Sequence, residues 1–135
     1  MSYFEEIQKR GRDVNPFFVL MGIDVVSIGK GTARLSMEVR PDMHNGVGWM
    51  QGGIFTAMAD EAMALALYTA ISPGERIATI SETTSFLKGA KDGVLLATGR
   101  VVRKGRRVAF TDGEVRKDSD SGEILARCAA AFAIL

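Results

Sequence analysis

The chain has 135 residues, 17 lysines and arginines against 16 aspartates and glutamates, and 47% apolar residues. That length makes one domain the expectation and the apolar fraction is ample for its core, while the near-neutral balance supplies no global field to gather nucleic acid or an anionic membrane. The lone Cys128 has no intramolecular partner and the N-terminus lacks the basic-then-apolar order of a secretory signal, so the expected setting is cytoplasmic.

Along the chain, Phe4 and Ile7 on one side of an amphipathic stretch predict a short helix running to Gly11. Asn15-Pro16 then ends any helix, because the residue before proline avoids helical dihedrals. Phe17 to Ile28 and Thr32 to Arg40 fit strands, with Gly29-Lys30-Gly31 as the hairpin between them; in the second, Ala33, Leu35, Met37 and Val39 alternate with Arg34, Ser36, Glu38 and Arg40. Pro41 to Gly53 is a glycine-dense loop. It feeds a helix from about Gly53 to Ala70, which Ser72-Pro73-Gly74 stops.

That helix has no polar face. Between Gln51 and Ser72 its only charges are Asp60 and Glu61. Its apolar run approaches membrane-spanning length, but the internal acids and many alanines argue for a buried helix of a soluble protein. A helix apolar all round is wrapped on every side, and the only wrapping material here is sheet. Four further strands are expected, Ala78 to Lys88, Val94 to Arg103, Arg107 to Lys117 and Glu123 to Leu135, with turn-like separators that suggest a meander of antiparallel hairpins. The expected fold is therefore α+β, a curved antiparallel sheet around one long central helix.

A carboxylate is costly to bury unless something uses or satisfies it, so Asp60 and Glu61 are the leading candidates for chemistry. Helical geometry points them about 100° apart, and periodicity alone does not choose between them.

The loop Asn45-Gly46-Val47-Gly48-Trp49-Met50-Gln51-Gly52-Gly53, followed seven residues after Gly53 by Asp60, resembles the signature of hotdog-fold acyl-CoA thioesterases, and most nearly the PaaI-like branch. The resemblance extends over nearly the whole chain, through Asn15-Pro16-Phe17, Gly22-Ile23, Phe86-Leu87-Lys88 and Arg103-Lys104-Gly105-Arg106-Arg107. It implies a single hotdog domain over residues 1–135 that hydrolyses an aromatic or short- to medium-chain acyl-CoA to free acid and coenzyme A. It implies no metal or redox cofactor, coenzyme A entering only as part of the substrate. Asp60 matches the catalytic carboxylate, nucleophile on the thioester or general base on water, and its spacing from Gly53 favours it over Glu61.

By the same resemblance, the Gly52 amide at the N-terminus of the central helix polarises the thioester carbonyl, and free N–H groups with the positive end of the helix dipole independently suit an oxyanion there. Gln51 stands where the family usually has His; glutamine donates a hydrogen bond but carries no proton as His does. Asn45 matches the loop asparagine that holds the loop or faces the reacting centre, although asparagine before glycine is also ordinary turn chemistry. Thr79 matches a Ser or Thr that orients water or the carboxylate, with Ser81 and Thr83 as neighbouring candidates. Arg103, Lys104, Gly105, Arg106 and Arg107 resemble the hairpin that meets the nucleotide phosphates, with Lys88 a weaker candidate; a cationic hairpin is also common solvated surface. Asp60 lies about two helical turns from Gly52, too far for both to serve one substrate from the same chain. The family resolves this by dimerising, so a homo-oligomer with sites at the subunit interface is implied, a dimer and plausibly a dimer of dimers.

Two other readings compete. A hotdog hydratase or dehydratase depends on a His paired with a carboxylate, and His44 is the only histidine. A non-catalytic acyl-CoA sensing module would keep the basic hairpin without needing Asp60. Met43, Met50, Met58 and Met63 either line a lipophilic channel or fill the core.

Overall fold

The computed structural model describes residues 2–135. Ser2 opens the first helix, α1 (Tyr3–Arg10): its hydroxyl accepts from the Glu5 amide while the Glu5 carboxylate accepts from the Ser2 amide. This reciprocal cap satisfies N–H groups that would otherwise lack partners. Gly11, at φ 62°, closes the helix, and a short 3₁₀ turn follows over Gly11–Val14.

The expected first strand divides in two. Pro16–Met21 is a helix, α2, and only Ile23–Gly29 is strand β1. Asn15-Pro16 does exclude a helix before it, but it also starts one: Pro16 sits in the first turn, and the Asn15 side chain accepts from the amides of Phe17 and Phe18. Gly22, in the left-handed region at φ 72°, ends α2 and releases the chain into β1. The strand preference of Phe-Phe-Val is thereby overridden, and Phe18 is fully buried. The Asn15 amide also donates to the Tyr3 hydroxyl at 2.8 Å, tying α1 to this corner. Asn15→Ala is expected to cost about 2 kcal/mol, since it removes the cap and that tie together; a midpoint shift in urea with unchanged slope would measure it, and an unchanged midpoint would refute the role.

Strand β2 (Thr32–Glu38) buries Ala33, Leu35 and Met37 as the alternation requires. A glycine-rich loop then leads into α3 (Gly52–Tyr68). Strands β3 (Ile77–Phe86), β4 (Val94–Lys104), β5 (Val108–Lys117) and β6 (Ile124–Ile134) complete one antiparallel sheet of order β1-β2-β4-β5-β6-β3. The meander expected over all four holds only from β4 to β6. Strand β3 pairs with β6 at the far edge, and β4 inserts next to β2. The glycine-bounded segment after β3 is therefore a crossing rather than a hairpin. It is held to the loop before α3 by the Met50 amide on the Ala90 carbonyl and by a His44 ring contact of 2.7 Å with the Lys91 carbonyl.

Helix α3 lies chiefly across β4, flanked by β2 and β5. Its sheet-facing side, including Phe55, Met58, Ala62, Met63 and Leu65, is buried. The sheet does not close around it: Gly53 is exposed and Ala57, Asp60 and Ala64 are only partly covered. The expected wrapping on every side is thus half met within one chain. No helix among the described residues is long and apolar enough to cross a membrane.

Candidate active site

Helix α3 and strand β3 run against one another, and their facing residues set the site. Phe86, at the end of β3, lies against Gly52, where a Cβ would sit 3.4 Å from its ring. Next along, the hydroxyls of Thr84 and Thr56 are 2.8 Å apart. Then the Thr79 hydroxyl donates to Asp60 Oδ1 at 3.1 Å. Gly52, Thr56 and Asp60 follow at four-residue steps, one line along the helix.

A bulge decides which β3 residues join this line. Thr79 pairs with Phe132 and Ser81 with Ala131, so Ile80 is an extra residue without a counterpart, 58% exposed. A bulge reverses the alternation beyond it. Ser81 and Thr83, which share Thr79's parity in the sequence, are exposed, whereas Glu82 and Thr84 are partly buried. Of the three candidates, Thr79 alone bonds Asp60. Glu82 was not singled out by the sequence, because strict alternation places it on the opposite face.

Burial pushes the Asp60 carboxyl above its ordinary range, against the lowering effect of hydrogen bonding from Thr79 and of neighbouring Glu82. Burial, and then the Asp60 charge, raises Glu82 to about 7. Glu61 is also raised to about 7, by burial first and Asp60 second. Its surroundings differ, being Tyr3, Tyr68 and Asn15 beneath α1.

At the helix start, Gln51 makes no capping bond with its side chain, and among the described residues neither the Gly52 nor the Gly53 amide finds an acceptor. Those N–H groups are free for a ligand oxygen. Asn45 serves the loop: its Oδ1 accepts from the amides of Val47 and Trp49 at 2.9 and 3.1 Å, which leaves only its NH₂ group to face a substrate. The His44 contact with Lys91 gives this ring a place in the loop, remote from the Asp60–Thr79 pair in the chain. The four methionines are core, none more than 5% exposed.

The cationic hairpin joins β4 to β5. Arg103, Lys104, Arg106 and Arg107 are exposed and enter no ion pair among the described residues, while the Gly105 amide bonds the Val108 carbonyl at 2.9 Å in a turn that a Cβ on Gly105 would crowd. Val108 pairs with Ala133 of β6, which in turn pairs with Ala78 of β3. The hairpin thus lies at the Thr79 end of the sheet, two strands away, about 10 Å by strand spacing. Lys88 lies just beyond the opposite end of β3 and pairs with Glu123 at 3.0 Å. One chain therefore assembles Asp60, Thr79 and the hairpin at one end, and Gln51, Gly52, Asn45 and Lys88 at the other. The eight helical steps from Gly52 to Asp60 span about 12 Å.

Residues 48–124 match the family model of the Thioesterase superfamily. The chain is similar to the 1,4-dihydroxy-2-naphthoyl-CoA hydrolase of Listeria monocytogenes, 23% identical over 111 residues that cover 82% of this chain and 90% of that one. It is similar to the acyl-coenzyme A thioesterase PaaI of Escherichia coli, 32% identical over 96 residues, 70% of this chain and 66% of that one. Among solved structures it resembles the phenylacetic acid degradation-related protein of Ralstonia eutropha JMP134, with a TM-score of 0.87 and 25% identity, covering 98% of this chain and 99% of that one.

Proposed function

Because the chain belongs to the thioesterase superfamily as a PaaI-like hotdog thioester hydrolase, we propose that it hydrolyses an aromatic or short- to medium-chain acyl-CoA to the free acid and coenzyme A, using Asp60. The observation that carries this reading is the Thr79 hydroxyl donating to Asp60 at 3.1 Å, on a helix whose only other charge is Glu61. A hydroxyl donor favours the ionised carboxylate against the burial that opposes it. Ionised Asp60 either adds to the thioester carbon or takes a proton from water that does. In both routes the carbonyl oxygen gains negative charge, the carbon–sulfur bond breaks and the coenzyme A thiolate takes up a proton from water or from Asp60; in the first route water then cleaves the Asp60 acyl anhydride to free acid and carboxylate. The free Gly52 amide, with Gln51 beside it, meets the charge on the carbonyl oxygen, and the NH₂ group of Asn45 orients the reactants.

Since Gly52 and Asp60 of one chain stand about 12 Å apart, each site joins the loop and helix start of one subunit to the Asp60 of another. The open edge of β3, with Ile80 and Phe86 exposed, and the uncovered Gly53-Ala57-Asp60-Ala64 side of α3 suit such a homodimer. The unpaired cations of the β4–β5 hairpin hold the nucleotide phosphates.

Release of free thiol from a panel of aromatic and aliphatic acyl-CoA esters, compared with small synthetic thioesters, tests the substrate class. The Arg106→Ala, Arg107→Ala double variant is expected to raise KM for the CoA esters about tenfold or more, each lost phosphate contact being worth about 1 kcal/mol, and to spare the small thioesters. Equal losses on both substrate types would remove the hairpin from phosphate binding; no turnover of any CoA ester would sink the substrate assignment.

A further inference from the structure

Asp60 has a second carboxyl group beside it, which the reaction above leaves without a task. The bulge at Ile80 turns Glu82 toward α3, where its Oε1 is buried and finds no hydrogen-bond partner among the described residues. An ionised oxygen in that position, next to another carboxylate, lacks both solvent and a donor, and two adjacent half-buried carboxylates do not ionise together without cost. One proton between them removes the conflict. The surroundings decide which group holds it: Asp60 already accepts the Thr79 hydroxyl, which favours its charged form, while Glu82 Oε1 accepts nothing.

Resting on the Asp60 reading, we propose that Glu82 is a positioning residue that holds the proton of the Asp60–Glu82 pair and donates it as a hydrogen bond to Asp60, fixing that carboxylate ionised and aimed at the reacting centre. The hydrogen bond forms and breaks with the protonation of Glu82, and no proton leaves the pair during the chemistry. The groups around the pair agree. Cys128, on β6, is a thiol itself pushed up by burial and by both carboxylates; it reaches Thr84 at 3.5 Å and also sits in hydrogen-bonding reach of Glu82, where it lowers that acid against the larger raising effects of burial and Asp60. Glu61 touches the pair only through Asp60, from the side of Tyr3 and Tyr68. Among the described residues no cation acts on the two acids. With Glu82 raised to about 7, the proton is held below that pH and lost above it.

Glu82→Gln separates this role from a structural one, because the glutamine amide donates the same hydrogen bond at every pH. The intact wild-type enzyme is expected to lose kcat above about pH 7 as the pair becomes doubly charged. In Glu82→Gln, kcat should stay near the wild-type maximum and that alkaline limb should vanish, while Glu61→Gln should keep it. Glu82→Ala should lower kcat roughly tenfold or more with little change in KM, the size expected for a lost hydrogen bond to a charged group. Equal losses in the Gln and Ala variants, or an alkaline limb surviving in Gln, would overturn the inference. Failure of the parent reading looks different, since an active Asp60→Asn would sink both, whereas an inactive Asp60→Asn with an unaltered profile in Glu82→Gln would sink only this one.

Discussion

Asp60→Asn is expected to lower kcat by about 10³-fold while leaving KM within a few-fold, measured as thiol release from whichever acyl-CoA ester turns over fastest. Asparagine keeps the shape and still accepts the Thr79 hydroxyl at its carbonyl oxygen, so the geometry around Oδ1 survives. What is lost is the charge that either attacks the thioester or draws a proton from water. The same substitution should leave the thermal midpoint unchanged or raise it at pH 7. The sign follows from the direction of the shift: burial raises the Asp60 carboxyl above its unfolded value, so the folded state holds its proton more tightly. Stability is then lost, not gained, as pH rises past the unfolded value, and ionised Asp60 is a cost to the fold at neutrality. A residue that destabilises in place and abolishes turnover on removal is kept for chemistry. Comparable loss of turnover from Glu61→Gln, with Asp60→Asn active, would transfer the role to the neighbouring acid.

The central helix and most strands were legible because each carries a strong local signal: an apolar run ended by Ser72-Pro73-Gly74, and alternation such as Ala33, Leu35, Met37. Helix α2 was hidden because Asn15-Pro16 gives a stop and a start in the same two residues, and the aromatic and β-branched residues after it argue for strand. The place of β3 was hidden for a topological reason. Pairing it with β6 rather than β4 depends on tertiary contacts of the crossing segment with the loop before α3, and no residue within the strand encodes them. At the site, the resemblance singles out Asp60, Gly52 and Thr79 as candidates, and of these the fold brings Thr79 to Asp60. Glu82 was not singled out, because one unpaired residue at Ile80 reverses the face of everything after it, and a bulge of this kind leaves no mark in composition. Of these departures from local rules, the bulge and the pairing of β3 lie at the candidate chemistry, whereas α2 lies away from it beside β1.

How deeply α3 sits in the sheet determines whether Thr79 reaches Asp60 at all, and that depth rests on Gly99. It lies in β4, paired with Ala33 on one side and Gly113 on the other, and is buried. A Cβ there would overlap the backbone carbonyl of Ala62 and stand 2.5 Å from the Met63 nitrogen. Backbone in mid-helix cannot swing aside as a side chain can, so Gly99→Ala has to lift α3 from the sheet. The expected cost is at least about 3 kcal/mol, the upper part of the overpacking range, with a fall in Tm of roughly 10 °C. Gly113→Ala is the matched control: its Cβ would meet the Met63 side chain, Cγ at 3.1 Å and Sδ at 3.2 Å, which can shift as backbone cannot, and a cost of about 1 kcal/mol is expected. A lifted helix also carries Asp60 away from β3, so the folded fraction of Gly99→Ala should turn over more slowly even well below its Tm, whereas Gly113→Ala should not. Scanning calorimetry with kinetics at low temperature separates the two effects. Similar small shifts in both variants would mean that β4 yields to the helix, and that the Asp60–Thr79 contact does not depend on this close approach.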